Sequence, residues 1–168
     1  MRRYRDIPRI IFPLIVIALS AQIFAPRVPA APLSLTESGS WNAGSFGIAQ
    51  LTGAAGTNFT ATQTSSANAV LMTIANTTLT GWNITVRKVD TTWNAGLHAF
   101  VRRTGAGTGT GTVAGGLTYQ EITGTDLAFL SGTNNKASIP LQFQLTGLSV
   151  TVGAGLFSTT VFYTLTEF

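Results

Sequence analysis

The chain has 168 residues, a formal net charge of +4 and no cysteine, a length that suits one domain and a composition that excludes a disulfide-stapled scaffold. Charged residues make up only 10% while Gly, Thr, Ser and Asn are frequent, so the surface hydrogen-bonds through hydroxyls and amides more than it is solvated by charge. The positive excess lies in residues 1–30, where Arg2, Arg3, Arg5, Arg9 and Arg27 stand against Asp6; the rest is balanced, which excludes the basic domain that nucleic-acid binding needs.

Residues 1–30 read as a secretory signal. A basic start is followed by an apolar run, Ile10 to Ala25, and then by Val28-Pro29-Ala30, with small residues where signal peptidase cuts. The run spans 16 residues and contains Pro13, short of the roughly 20 that a spanning helix requires. A signal helix over 1–30, cleavage between Ala30 and Ala31, and a single secreted domain over 31–168 are expected. The membrane is then met only through the signal segment. An uncleaved anchor is the competing reading, and it too leaves the domain outside the cytoplasm.

Ala31 to Ser40 reads as an extended lead-in, with Pro32 unable to donate to a ladder. Phe46 to Leu51 and Phe59 to Gln63 are weak strand patterns. Ala69 to Ala75 is stronger, with Val70, Met72 and Ile74 on one face. After a turn over Asn76 to Thr80, Trp82, Ile84 and Val86 point one way and Asn83, Thr85 and Arg87 the other. Leu97 to Arg103 is a further strand, and Gly105 to Gly116 a flexible Gly/Thr loop. Leu117 to Thr123 and Asp126 to Leu130 give short strands or an irregular connection. Gly132 to Lys136 turns the chain into Ser138 to Thr146, where Ile139, Leu141, Phe143 and Leu145 alternate with polar residues. A shorter run, Leu148 to Val152, and a Gly153-Ala154-Gly155 turn precede a terminal strand, Ser158 to Thr166. In it Val161, Tyr163 and Leu165 share a face. Short period-two segments at even spacing predict an all-β fold, an antiparallel β-sandwich, with Ala69–Arg87 and Ser138–Thr166 as hairpins or sheet centres.

No residues suggest catalysis. His98 is the lone histidine, on a strand face with Phe100 and Arg102, and without cysteine or a second histidine neither a nucleophile–base pair nor a zinc set is visible. The glycine-rich tract lacks the Gly-Lys-Ser/Thr and the following helix of a phosphate loop. No catalytic, metal or cofactor-binding residues are therefore expected, and no cofactor. Trp41 and Trp93 each precede an Asn-Ala-Gly turn. They either plug the ends of the sandwich or stack on sugar rings, with Asp90 and Asn94 bonding hydroxyls. Asn58, Asn76 and Asn83 each begin an Asn-x-Thr acceptor pattern, which composition alone would produce in such a chain.

Gly81-Trp82-Asn83-Ile84-Thr85-Val86 and Phe162-Tyr163-Thr164-Leu165-Thr166 resemble the paired strand motifs of WxL-type bacterial cell-surface domains, with Ile84 and Tyr163 replacing a Leu and a Trp of that pattern. Gly153 to Val161 is similar to the last strand of pilin-like, spore-coat-U-like sandwiches. The resemblance implies an Ig-like or pilin-like surface domain, and for the WxL group peptidoglycan association. Two functions follow as expectations. One is a structural subunit of an extracellular fibre, coat or matrix that associates with itself or with other surface proteins. In it, Leu33 and Leu35 of the N-terminal arm are donated to a neighbour by β-strand addition or pair at home. The other is a module binding cell-wall glycan.

Overall fold

Among the described residues, alternating apolar side chains fold the chain into ten strands joined by turns. The computed structural model describes residues 31–47, 50–54, 57–59, 62–78 and 80–168. The signal segment expected over 1–30 lies outside the described residues. The strands are β1 (Ser34–Gly39), β2 (Thr62–Thr64), β3 (Val70–Ala75), β4 (Trp82–Thr92), β5 (His98–Arg103), β6 (Val113–Gly115), β7 (Gln120–Glu121), β8 (Leu127–Gly132), β9 (Lys136–Thr146) and β10 (Ser158–Glu167). They form two antiparallel sheets. One runs β1-β3-β9-β5-β7, with β2 also on β9; the other runs β10-β4-β8-β6.

The architecture is all-β and sandwich-like. Val70, Met72 and Ile74 of β3 and Ile139, Leu141 and Phe143 of β9 share one core cluster with Trp82, Ile84 and Val86 of β4 and Phe129 and Leu130 of β8. Period-two alternation turns each set to the same side of its strand. Full burial of each large aliphatic side chain contributes about 2 kcal/mol. Trp82 is fully buried and still satisfies its indole N–H, which donates to the Asn134 carbonyl at 2.9 Å. Val161, Tyr163 and Leu165 of β10 are only half-buried, because β10 closes its sheet at an edge.

Three expectations need correction. Ala69–Arg87 and Ser138–Thr166 are not hairpins, since β3 and β9 lie in one sheet and β4 and β10 in the other, but β3, β4 and β9 do stand at the centres of their sheets. Alternation fixes which side chains point inward but not the sheet they belong to. Phe46 to Leu51 forms no described strand, and Leu51 makes a single bridge to Phe59. Leu148 to Val152 ends in a 3-10 turn, Val150–Val152, which Ser149 caps by accepting from the Thr151 N–H.

The Gly/Thr tract is not a loose loop either. Thr108 and Ala137 exchange main-chain bonds of 2.7 and 2.9 Å. A Cβ at Gly107, Gly109 or Gly111 would collide with the carbonyl of Ala137, Asn135 or Thr133. Glycine is there because the two stretches of backbone lie in contact.

Register gives the molecule two poles. Pro32, the Asn76–Gly81 connection and Phe168 meet at one, through Asn76 Nδ2 to the Pro32 carbonyl (3.0 Å), Thr78 to the Glu167 carboxylate (2.9 and 3.0 Å) and the Phe168–Gly81 pair. The far ends of β4 and β9 and the start of β5 define the other.

Candidate functional site

The second pole carries most of the polar side chains that the sequence singled out. Strand β4 brings Lys88 and Asp90 to its end, the chain bends at Trp93, and β5 begins with His98. The bend is an Asx turn: the Asn94 side-chain oxygen accepts the Gly96 N–H at 2.8 Å. The matching tract after Trp41 folds the same way, Asn42 accepting the Gly44 N–H at 2.8 Å. An open cleft of 280 Å³ lies here, lined in part by Lys88, Asp90, Trp93, His98 and Glu121.

Its charges are paired. The Lys88 ammonium donates to both Asp90 oxygens at 2.6 Å and lies 4.9 Å from the centroid of the Trp93 ring, a cation–π contact. Burial alone would push the Asp90 carboxyl up. Hydrogen bonds from Lys88 and Thr159 and the Lys88 charge outweigh it and hold the group below its ordinary value. His98 Nδ1 and Glu121 Oε1 stand 2.7 Å apart, both about half exposed. Pairing of β5 with β7 sets this contact, by placing Phe100 opposite Glu121. Among the described residues no group of three or more His, Cys, Asp or Glu is gathered as a metal site would need.

Trp93, Asp90 and Asn94 come together at this pole. Trp93 and Asp90 line the cleft, whereas Trp41 does not. Trp41 stacks on Phe143 at 6.2 Å and 16°, and the Trp93 indole donates to the Leu97 carbonyl at 2.9 Å. Both tryptophans pack against the main core and against a smaller cluster of Leu97, Leu145 and Leu148. Asn94 is committed at both ends of its amide, donating also to the Val152 carbonyl at 3.1 Å. Leu33 and Leu35 lie at the opposite pole, half-buried, with Leu35 opposite Ile74 in the β1–β3 pair.

Two features escaped the sequence. Lys88 covers a face of Trp93 across a strand-to-turn bend, a contact without a sequence period. On the flank between β1 and β10, Glu37 and Tyr163 approach each other. The Tyr163 hydroxyl is buried without a hydrogen-bond partner. Burial first, and the Glu37 charge second, push its phenol far above the ordinary range. Burial likewise raises the Glu37 carboxyl. A signal for Glu37 did exist, since it is the one charge in the inward register of Leu35. No family model, curated protein or solved structure matches this chain in comparisons with known proteins.

Proposed function

We propose that this chain is a secreted, non-catalytic structural protein of the cell surface. In this reading it is a subunit of an extracellular fibre, coat or matrix, with a pilin-like or WxL-like sandwich, joined to its neighbours by β-strand addition. The attachment of the N-terminal arm carries the reading. Strand β1 bonds to one neighbour only, β3, over six residues, Ser34 to Gly39. It contributes a single half-buried apolar anchor, Leu35, to the main core. A strand so placed leaves and is replaced by the same strand of another subunit with every main-chain bond conserved. The low charge of the chain suits a crowded assembly.

The test is removal of Ala31 to Thr36. The secreted domain is expected to form multimers by size-exclusion chromatography and electron microscopy, and the truncated chain to lose them while keeping its β spectrum. Unchanged multimers after truncation, or none from the intact domain, would refute arm exchange.

A second reading, a module binding peptidoglycan or another carbohydrate, has the open cleft at Trp93 in its favour. A sugar stacking there must displace Lys88 from the ring and compete for the Asp90 oxygens, so the paired charges weigh against it.

A further inference from the structure

Five strands edge the two sheets among the described residues, and four of them make poor templates for pairing. Strand β7 has two residues, β2 has three, and β6 has three and ends at Gly115 with φ 78. Strand β1 carries a charge, Glu37, in the same register as Leu35. Short length, distortion and charge all protect sheet edges. Strand β10 confines such features to its two ends, a register shift at Ser158/Thr159 and the charge of Glu167. It is ten residues long, has no charge or proline from Ser158 to Thr166, and pairs regularly with β4 from Thr159 onward.

The ladder shows which of its groups are free. Phe168 and Gly81 exchange main-chain bonds of 3.0 and 3.3 Å. Antiparallel pairs alternate, so Thr166, Thr164 and Phe162 also bond inward to β4. The N–H and C=O groups of Val161, Tyr163, Leu165 and Glu167 therefore point out from the open edge. The outer face carries Thr160, Thr164, Thr166 and Phe162; the last is 43% exposed, with the Arg87 guanidinium 4.8 Å from its ring centroid.

We propose that this edge pairs with the same edge of a second copy of the chain, antiparallel about a two-fold axis at Phe162, merging two four-stranded sheets into one. Only residues with free groups can exchange bonds, and this register satisfies that condition. Val161 meets Tyr163 of the second copy, and Thr159 meets Leu165. On the outer face Phe162 meets its own equivalent, each ring backed by its own Arg87, and Thr160 meets Thr164. Aromatic and threonine cross-strand pairs are both stabilising. No like charges become direct partners, because Glu167 falls beyond the last bonded pair. This self-complementarity favours a second copy over an unrelated chain. The contact closes a dimer and makes no use of the N-terminal arm, so it stands apart from arm exchange.

Thiol cross-linking tests it, since the chain has no cysteine of its own. Thr160→Cys and Thr164→Cys are made separately, which leaves Phe162 in place. Cross-strand neighbours without mutual bonds lie about 4.5 Å apart at Cα, within disulfide range. Mixing the two variants and oxidising should give about tenfold more covalent dimer than either alone, because the paired edge raises the effective thiol concentration. Thr164→Lys, at an exposed position, should shift the uncross-linked protein from two copies to one by light scattering with its β spectrum unchanged. No excess of mixed dimer, or a wild-type chain monomeric throughout, overturns the proposal. The Ala31–Thr36 deletion separates the two ideas. Dimers that survive it keep the β10 contact while arm exchange fails, and multimers without the cross-link do the reverse.

Discussion

Tyr163 places a polar group where the sandwich would otherwise be apolar, and the charge of the more exposed Glu37 acts on it. The Tyr163 hydroxyl is buried and unpartnered, so its desolvation is uncompensated. Tyr163→Phe is expected to leave stability unchanged or to raise it by up to about 1 kcal/mol, read from urea denaturation. A clear loss would mean that the hydroxyl is bonded after all. Glu37 makes a prediction with a sign. Its folded-state value is raised above 4.5 by burial, so the folded chain binds the proton more tightly than the unfolded one. Its favourable contribution is complete below pH 4.5 and is lost as pH rises through the folded value. Glu37→Gln should therefore gain on the wild type as pH goes from acid to neutral, by a few tenths of a kcal/mol because the side chain is largely exposed. Thermal unfolding across that range checks it, and a stability difference that shrinks with pH would contradict it.

At the scale of elements, the Gly105–Gly116 tract acts as a carbonyl lining for two buried cations. Arg103 is 8% exposed and donates to the carbonyls of Gly115 (2.6 Å), Gly105 (3.3 Å) and Val113 (3.4 Å); Lys136, 6% exposed, donates to that of Gly109 at 3.3 Å. Arg103→Met should destabilise by about 3 kcal/mol, since it leaves carbonyls on three residues without a donor, and should open the tract to limited proteolysis. Persistent resistance to protease in this variant would show that the glycine backbone contacts alone hold the tract. The composition reads as a flexible linker because glycine permits both freedom and close approach, and only the partner strand distinguishes them. The same reason divides what the sequence reveals from what it hides. Val70, Met72 and Ile74, Trp82, Ile84 and Val86, and Ile139 to Leu145 were legible because the side-chain period of a strand is two. The Asx turns at Asn42 and Asn94 were legible because their bonds are local. Sheet membership, the two-residue β7 and the lysine over Trp93 depend on residues distant in sequence or on a bend, and they leave no periodic trace.

At the scale of the molecule, both edge strands that flank the Glu37–Tyr163 approach run to or from one pole. Strand β1 enters there beside Asn76, and β10 leaves there beside Thr78 and Gly81. The Trp93 cleft sits at the other pole. The shared pole also decides how the domain answers mechanical load. Force drawn between Pro32 and Phe168 meets the first bonds of β1–β3 and the last bonds of β10–β4 at the same end, and it peels each strand away one bond at a time. Nothing in that direction makes a whole ladder slide at once. The domain therefore yields softly between its own ends and gives up first the two strands whose outer edges are open to a neighbour.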